Sequence, residues 1–470
     1  MTNALGELEG LGAQAEAIAA GEVSSAELVA DCLDRIEATQ STLNAFRCVR
    51  TEAALLEARE CDRRIAAGER APLLGVPVAI KDDTDIAGET TAFGCAGRFE
   101  PIVNDSEVVR RLRSAGAVIV GKTTTSEIGQ WPFSEGPGFG VTRNPWNLDH
   151  TPGGSSGGAA AAVAAGLVAG AIGSDGAGSV RIPAAWCHLV GIKPQRGRIS
   201  TWPHSEAFRG LTCLGPLTRT VADAALVLDV ASGNRAGDRH RPEPPPQTFS
   251  EAARQAPARL RIALSTRIPF SGAPARLDPE IREATERIGD VLRELGHEVS
   301  GGDPAYGLVG ASFMPRSMSG ISEWMDRIAE PEALDPRTRH NAKIGRLLSG
   351  PTLAAARALE RPVRRQIGRV FERFDVVLAP TTAKPALPIG AAEGLGNWET
   401  DRLIVGACPY AWPWNVVGWP GVNVPAGLTD GGLPIGVQLL GPSDSEGLLI
   451  SLAAELEAIE RWQDRRPPNP

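Results

Sequence analysis

Three residues of this chain have the types and the surroundings that hydrolysis by serine requires. Lys81, Ser155 and Ser179 each lie in a stretch punctuated by glycine, and no histidine is an obvious partner among them. A serine hydroxyl is a poor nucleophile until a base removes its proton, and a lysine can be that base if burial holds it neutral. The residues therefore predict a serine hydrolase that works through lysine.

The small residues before Ser179 are suited to hold the negative charge that develops when a carbonyl is attacked. Gly176, Ala177 and Gly178 carry little side-chain bulk, so their backbone N–H groups can turn toward one point and form an oxyanion hole. Losing one such donor typically costs on the order of 10²–10³ in rate. Taken alone, a glycine-rich turn more often only joins two elements.

Lys81 follows the apolar run 76–80, as a side chain buried at the end of a strand would. An ordinary lysine pKa is about 10.4, so a largely neutral amine near pH 7 needs a pKa lower by about 3, which desolvation can supply. The lowered pKa is opposed by three nearby carboxylates that favour the ammonium: Asp82, Asp83 and Asp85. Asp82 would not contribute if strand alternation directs it away from Lys81. The alternative interpretation is a solvated lysine that closes a strand.

The serines of segment 153–158 allow two other interpretations. A G-x-S-x-G pattern is typical of a nucleophile elbow, but an elbow needs a strand directly before it, and segment 142–152 is rich in Asn, Asp and Pro. A phosphate-binding loop would end in Gly-Lys-Ser or Gly-Lys-Thr, and this segment has no such ending. His188, nine residues after Ser179, is a candidate base, although we expect it to be a pocket or core residue.

These stretches together resemble the amidase signature family, serine hydrolases that cleave amide bonds. The spacing matches, because 24 residues separate Ser155 from Ser179 and 74 separate Lys81 from Ser155. The most similar segments are 76–88, 121–127, 142–147, 152–198, 415–427 and 432–438, and the resemblance as a whole extends over roughly two thirds of the chain. One departure is Gly176-Ala177-Gly178, where many members have Thr-Gly-Gly.

The resemblance implies a role for each site residue. Ser179 would be the nucleophile, Ser155 the hydroxyl that passes the proton, preceded by a cis peptide bond, and Lys81 the base. Ser156 and Asp175 would support the loops. The implied fold is one α/β/α domain over residues 1–470, with a mixed, largely parallel central sheet and the site at one sheet edge. The chemistry implied needs neither a metal nor an organic cofactor.

Three functions fit this resemblance, and the substrate stays open. A stand-alone amidase would release a carboxylate and ammonia or an amine, and anilides, carbamates or esters present the same carbonyl. A glutamine-dependent amidotransferase subunit of the A type is the second possibility, but such relatives tend to carry Gln where this chain has Ile182. A catalytically silent binding protein is the third, against which the presence of all three triad residues speaks.

The composition of the chain limits the kinds of partner that it is expected to bind. The chain has 470 residues, a net charge of −8 and 42% hydrophobic residues, with acidic and basic residues interspersed, which argues against nucleic acid or an anionic membrane as partner. We expect a small-molecule amide as the substrate and a monomer or homodimer. Seven scattered cysteines without a CxxC pair, and an acidic N-terminus without a long apolar run, indicate a cytoplasmic protein.

The pattern along the chain predicts alternating helices and strands around these residues. Ser24 to Glu27 has capping-box spacing, and Asp278-Pro279 is typical of a helix start. Runs 76–80, 117–120 and 376–379 predict buried strands, with a helix over residues 107–114, and the small residues of segment 157–173 favour a buried helix over a membrane span.

The expected division of the domain follows the same pattern. The core would comprise 65–232 and 374–462, joined through an exposed linker at 233–260. Residues 300–370 match the family least and would form the cover that selects substrates. Four tryptophans are candidates either for an apolar pocket or for the core: Trp131, Trp412, Trp414 and Trp419.

Overall fold

The apolar runs of the sequence form the interior strands of one large sheet. The computed structural model describes residues 10–269 and 275–468. The acidic N-terminal residues, on which the expectation of no secretory signal rests, lie outside that range. Thirteen strands occur in the described residues: β1 Phe46–Val49, β2 Pro77–Lys81, β3 Val118–Thr123, β4 Glu135–Gly136, β5 Gly140–Val141, β6 Gly170–Asp175, β7 Val190–Lys193, β8 Cys213–Thr218, β9 Arg261–Leu264, β10 Glu298–Gly301, β11 Val376–Pro380, β12 Gly421–Leu428 and β13 Pro434–Leu440.

Eleven of these strands form a mixed sheet in the order β1-β3-β2-β6-β8-β7-β12-β13-β11-β9-β10, and β4 and β5 form a separate hairpin. β3, β2 and β6 run parallel to one another, as do β11, β9 and β10. The other neighbours pair antiparallel. The α/β class and the mixed, helix-flanked sheet are confirmed. Antiparallel pairs are more numerous than a largely parallel sheet implies, since β12 returns to β13 through the short connection 429–433.

The helices surround the sheet. In the described residues they are α1 Leu11–Ala20, α2 Ser25–Leu43, α3 Thr51–Ala66, α4 Glu107–Ser114, α5 Gly157–Ala164, α6 Arg181–Trp186, α7 Val221–Ala231, α8 Phe249–Ala252, α9 Pro279–Glu294, α10 Val309–Met325, α11 Pro336–Leu347, α12 Pro351–Ala358, α13 Glu360–Gly368, α14 Asn397–Ala407, α15 Trp412–Val417 and α16 Glu446–Glu460. No helix among the described residues is long and apolar enough to cross a bilayer.

Two helix starts are set by the caps that the sequence predicts. The Ser24 hydroxyl accepts from the N–H of Glu27 at 3.1 Å, and the Glu27 carboxylate accepts from the N–H of Ser24 at 2.9 Å, so α2 begins with a capping box. Asp278 caps α9 through the N–H of Glu280. Helix α1 begins without a side-chain cap at Gly10, so the usual signal for a helix start is missing there.

The strands that carry the site are buried along their whole length. Every residue of β2, β3 and β6 is buried. One apolar cluster packs α7, α9 and α16 on the sheet, and a second packs α2, α3 and α5. This double cover explains why these strands are continuous apolar runs. Segment 157–173 is buried in large part as expected, but its helix α5 ends at Ala164 and residues 170–173 belong to β6. All eight residues of α5 are buried, and a Cβ at Gly158 would lie 2.3 Å from Thr124 Oγ1, so glycine permits the close approach.

The segment 233–260 differs from the exposed linker that its composition predicts. Many of its residues are exposed, but Phe249 is buried at the start of α8. The N–H groups of Phe249 and Ser250 donate to the Asp229 carboxylate at 2.6 and 2.9 Å, which holds this end of the segment against α7. A single large aromatic residue therefore ties part of the connection to the domain.

The parallel register brings the ends of β2 and β6 to one edge of the sheet. Ala79 and Ile80 pair with Ala171 and Ile172. Lys81 is the last residue of β2, and Asp175 is the last of β6. The loops that carry the two predicted serines also lie at this edge.

Candidate active site

Lys81 lies in a fully buried position with three oxygen atoms around its amine. Its Nζ is 2.7 Å from Ser155 Oγ, 2.7 Å from Ser174 Oγ and 3.2 Å from Asp83 Oδ2. The side chain is 0% exposed, so the solvated-lysine interpretation is wrong. Ser174 Oγ is also hydrogen-bonded to Asp83 Oδ2.

Burial is the main influence on the protonation of Lys81. Loss of water lowers the pKa of Lys81 below its usual value, while the charges of Asp83 and Asp175 oppose this effect. Asp82, which follows directly in the chain, is turned to other partners, with its carboxylate 2.6 Å from Arg47 Nε and 3.0 Å from Lys122 Nζ. Asp83 is therefore the neighbouring carboxylate that contacts the amine.

The loop that carries Ser155 is packed tightly against the protein. The peptide bond between Gly154 and Ser155 is cis. A Cβ at Gly154 would lie 2.5 Å from the carbonyl oxygen of Trp131, so only glycine fits there. Ser156 joins this loop to β6, because its Oγ donates to the Ser174 carbonyl at 3.2 Å and accepts from the Ser174 N–H at 3.3 Å.

The loop from Gly176 to Val180 presents backbone donors beside Ser179. Within the described part of the chain, the N–H groups of Gly176, Ala177 and Ser179 make no hydrogen bond. Gly178 differs from this group, since its N–H donates to Asp175 Oδ1 at 2.7 Å. The left-handed position also falls on Gly178, at φ 120°, so Ala177 is accommodated without left-handed strain.

A buried ion pair fixes that loop to the C-terminal part of the chain. Arg181 Nε lies 3.0 Å from Asp175 Oδ2, and both side chains are 0% exposed. Asn415 Nδ2 donates to Asp175 Oδ1 at 2.8 Å, and Arg181 Nη1 donates to Gln438 Oε1 at 2.9 Å. Burial would raise the pKa of Asp175, but the charge and hydrogen bonds of Arg181 outweigh it and hold that pKa well below its usual value. The Asp175 carboxylate is therefore ionised.

The two predicted serines open into one cavity of about 570 Å³. Gly176, Ala177 and Ile182 also line it. Aromatic side chains make up much of the remaining wall: Phe93, Trp131, Trp202, Phe208, Phe313, Trp324, Trp398 and Trp412. Such a wall suits an uncharged, apolar part of a substrate.

The predicted cover, residues 300–370, forms one side of this cavity, and a second segment, residues 398–408, forms a further part of its wall. Residues from 307 to 324, mostly in α10, line the cavity, as does Asn341 of α11. Residues 398–408, largely in α14, were not singled out by the sequence, yet Trp398, Asp401 and Ile404 lie on the wall. Of the four candidate tryptophans, Trp131 and Trp412 line the cavity. Trp412 also packs with Trp414 and Trp419 in one apolar core cluster.

The structure brings Lys81, Ser155 and Ser179 together, but the hydrogen bond between Ser155 and Ser179 that the proton path needs is not formed. Lys81 and Ser155 are in hydrogen-bond contact. The Ser179 hydroxyl makes no hydrogen bond to a described residue, although its carbonyl accepts from the Ser156 N–H at 3.2 Å. Catalytic hydrogen bonds are often long before substrate binds and tighten in the complex.

His188 lies apart from this arrangement. It is buried against the Trp146 ring, with ring centroids 5.0 Å apart, and it is not among the described residues that line the cavity. Burial lowers the pKa of His188 to about 3, helped by the nearby charge of Arg465. These observations favour the core interpretation of this histidine over a base.

Sequence reasoning missed three polar residues of the site, and for a fourth, Asp83, it missed the direct contact with Lys81. Ser174 and Asp83 contact Lys81, while Asn415 and Gln438 hold Asp175 and Arg181. Each is a polar residue within or beside a buried apolar segment, which is the signal that could have found it. The described residues contain no group of three or more His, Cys, Asp or Glu side chains that could hold a metal ion.

An α/β hydrolase acting on carbon–nitrogen bonds is the class of protein that this fold and this site define. The family model described as Amidase matches residues 27–450, and the chain belongs to that family, so the resemblance to amidase signature enzymes is confirmed. The chain is 59% identical over 451 residues to "Putative amidase AmiA2" of Mycobacterium tuberculosis, covering 96% of this chain and 93% of that protein.

Two further proteins show how wide the family is. The structure of 6-aminohexanoate cyclic dimer hydrolase complexed with substrate superposes with a TM-score of 0.90 at 31% identity, covering 98% of this chain and 99% of the other. The A-type subunit of glutamyl-tRNA(Gln) amidotransferase from a Roseiflexus species is 34% identical over 487 residues, covering 97% of each chain. Similarity therefore extends both to a hydrolase and to an amidotransferase.

Proposed function

We propose that this amidase hydrolyses a small-molecule carboxylic amide through an acyl-enzyme on Ser179. Ser179 Oγ attacks the carbonyl carbon while its proton passes to Ser155, whose own proton passes to neutral Lys81. The developing oxyanion is held by the N–H groups of Gly176, Ala177 and Ser179, which make no hydrogen bond to a described residue. No metal or organic cofactor takes part in these steps.

The second half of the reaction returns the proton. Lys81, now an ammonium, gives a proton through Ser155 to the nitrogen of the leaving group, and the C–N bond breaks to release ammonia or an amine. Water then attacks the acyl-enzyme by the same route and releases the carboxylate. Anilides, carbamates and esters are further candidate substrates, since each presents a carbonyl to the same groups.

One observation carries this proposal. A fully buried lysine lies 2.7 Å from a serine hydroxyl, and that serine shares its cavity with a second serine set beside backbone donors. Burial lowers the pKa of Lys81, which is the direction that a base working near neutral pH needs. Ser156 and Asp175 support this arrangement by fixing the two loops.

Turnover of a chromogenic anilide tests the proposal. The purified chain should hydrolyse 4-nitroacetanilide or a larger acyl homologue, and Ser179→Ala should lower kcat by at least about 10³-fold. Ser349→Ala, a change in a serine that lies outside the cavity, should keep the rate of the unaltered chain. A Ser179→Ala protein that turns over at the unaltered rate would remove the nucleophile from the proposal.

The amidotransferase alternative is favoured by the relative from Roseiflexus and opposed by one residue of the cavity. Ile182 lines the cavity where amidotransferase subunits tend to carry glutamine. We therefore expect the purified chain to cleave simple amides without a partner protein or ATP. Glutamine hydrolysis that begins only when a partner enzyme is added would favour the amidotransferase. A chain that neither hydrolyses amides nor reacts with a fluorophosphonate would be a silent binding protein.

The cellular setting is part of the same proposal. All seven cysteines are unpaired, which is usual where thiols stay reduced, and this supports a cytoplasmic location. A monomer or a homodimer stays the expected state. Light scattering during gel filtration measures it directly.

A further inference from the structure

We propose that Asp83 and Ser174 are positioning residues that direct the unshared electron pair of Lys81 at Ser155 and stabilise the ammonium that forms there. This inference rests on the proposed function, since it concerns how the base of that reaction is held. Neither residue is needed to bind the carbonyl, and both act through Lys81.

The three side chains form a closed triangle at the wall of the cavity, which Asp83 and Ser174 line. Lys81 Nζ lies 2.7 Å from Ser174 Oγ and 3.2 Å from Asp83 Oδ2, and Ser174 Oγ is hydrogen-bonded to the same Asp83 oxygen. Lys81 comes from β2, Ser174 from β6 and Asp83 from the loop that follows β2. The residues are almost fully buried, with Ser174 5% exposed and the Asp83 side chain 6% exposed.

Counting donors and acceptors fixes the direction of each hydrogen bond. An ionised carboxylate only accepts, so the single O–H of Ser174 donates to Asp83. The Ser174 oxygen can then only accept from Lys81, and Asp83 can likewise only accept. A neutral amine has two N–H groups, and these two acceptors use both. The remaining electron pair of the amine faces Ser155, whose hydroxyl is able to donate to it.

The same three side chains also accommodate Lys81 in its protonated state. When Lys81 takes the proton of Ser155, its third N–H points back at Ser155 Oγ, and the new positive charge lies 3.2 Å from Asp83. Without that carboxylate a buried ammonium would be strongly unfavourable. The two states therefore exchange one proton without any rearrangement of the side chains, which keeps reorganisation small.

The other charged groups near Lys81 are already engaged. Asp175, on β6, is paired with Arg181, and Asp82 is paired with Arg47 and Lys122. Asp83 and Asp175 both favour the ammonium, and the contribution of Asp83 is the larger of the two. Removing the charge of Asp83 should thus weaken Lys81 as a base, so that Lys81 loses its proton at lower pH.

The rate of labelling by a fluorophosphonate, followed across pH, tests this inference without a known substrate. In the unaltered chain the rate should rise with pH as Lys81 loses its proton. Asp83→Asn should move this rise to lower pH and lower the plateau by about 10- to 100-fold, which is less than the roughly 10²–10⁴-fold that a positioned base contributes, because Lys81 itself is retained. A rise at unchanged or higher pH in folded Asp83→Asn protein would overturn the inference.

Two serine variants and one carboxylate variant complete the experiment. Ser174→Ala should lower the plateau rate, and Ser174→Thr, which keeps the hydroxyl, should restore most of it. Asp290→Asn removes an exposed carboxylate that does not line the cavity and should leave the position of the rise unchanged. Ser174→Ala with an unaltered plateau would count against the inference.

The outcome for the unaltered chain separates this inference from the proposed function. An unaltered chain that is folded by circular dichroism but is not labelled would refute the proposed function. If the unaltered chain is labelled but its pH profile is the same as that of Asp83→Asn, only the positioning role would be refuted.

Discussion

Arg181 and Asp175 show how a single buried ion pair can set the shape of the loop that carries the predicted nucleophile, Ser179. The Asp175 carboxylate receives the N–H of Gly178 at 2.7 Å and that of Val180 at 3.3 Å, while Arg181 neutralises its charge. The loop between them is thereby fixed where Gly176 and Ala177, whose N–H groups make no hydrogen bond to a described residue, line the cavity. The pair lies outside the proposed chemistry, and its effect is on the geometry of the donors.

We expect Arg181→Met to destabilise the protein strongly. The change leaves the Asp175 carboxylate buried without its cation, which typically costs about 3–5 kcal/mol. Urea unfolding measures the free energy of unfolding. Arg287→Met, which breaks the surface pair with Glu460, serves as the control and should cost no more than about 1 kcal/mol. Equal losses in the two variants would contradict the structural role of the buried pair.

At the residue scale, the sequence predicted the candidate site residues and two of their supports, Ser156 and Asp175, but not the partners that reach them from distant segments. Lys81, Ser155 and Ser179 stand in local patterns, so their types and spacing are visible in the sequence. Asn415 reaches Asp175 from a position 240 residues away, and no local pattern reports such a contact. The open link between Ser155 and Ser179 is also a matter of side-chain geometry, which the sequence does not contain.

The cover elements α10 and α14 shape the entrance of the cavity. Leu308, Met314 and Trp398 line the cavity and are also 66%, 45% and 64% exposed. Large apolar side chains that are exposed at the rim of a cavity indicate a ligand that is itself apolar there. We therefore expect these elements to select among amides by the size and polarity of the group beyond the carbonyl.

Trp398→Ser tests the selecting role of the cover. The variant should lower kcat/KM for an anilide with a long alkyl acyl group by about 3- to 10-fold, since each ~1.4 kcal/mol of lost apolar contact is tenfold. The rate with acetamide should change little. Leu347→Ser is the matched control, because Leu347 is 82% exposed on α11 and does not line the cavity. Equal effects on the long and short substrates would contradict the selecting role.

Elements were predictable where caps and periodicity agree. α2 and α9 have side-chain caps, α4 matches the predicted bounds, and the buried strands follow from their apolar runs. The share of α14 in the cavity could not be predicted, because its position depends on how the chain returns after β11. The antiparallel pairings between the two parallel groups depend on long-range topology in the same way.

Across the whole molecule, one buried and one half-buried glutamate, Glu127 and Glu457, oppose folding at neutral pH. Burial raises the pKa of Glu127 and of Glu457 to about 7, from a usual 4.5, although each accepts hydrogen bonds that favour its charge. The native state thus binds protons more tightly than the unfolded chain. Their contribution to stability is full below about pH 4.5 and is lost as pH rises through 7. The pKa of Asp175 is lowered instead of raised, so its contribution to stability is present at neutral pH and is lost in acid.

Glu127→Gln should make the stability of the protein less dependent on pH. The unaltered chain should lose about 3 kcal/mol of unfolding free energy per glutamate between pH 5 and pH 8, and the variant should lose correspondingly less. Urea unfolding at these two pH values measures the difference. Glu286→Gln, at an exposed position of α9, is the control and should leave the dependence unchanged. A Glu127→Gln protein with the full dependence would contradict a raised pKa for Glu127 in the native state.

The most direct test of the central claim is peptide mass spectrometry after labelling with a fluorophosphonate. The account predicts a single phosphonyl adduct on the peptide that contains Ser179, absent in Ser179→Ala and formed much more slowly in Lys81→Met. An adduct on Ser155 or Ser156 in place of Ser179, or undiminished labelling of Lys81→Met, would contradict the claim that a buried lysine activates Ser179 through Ser155.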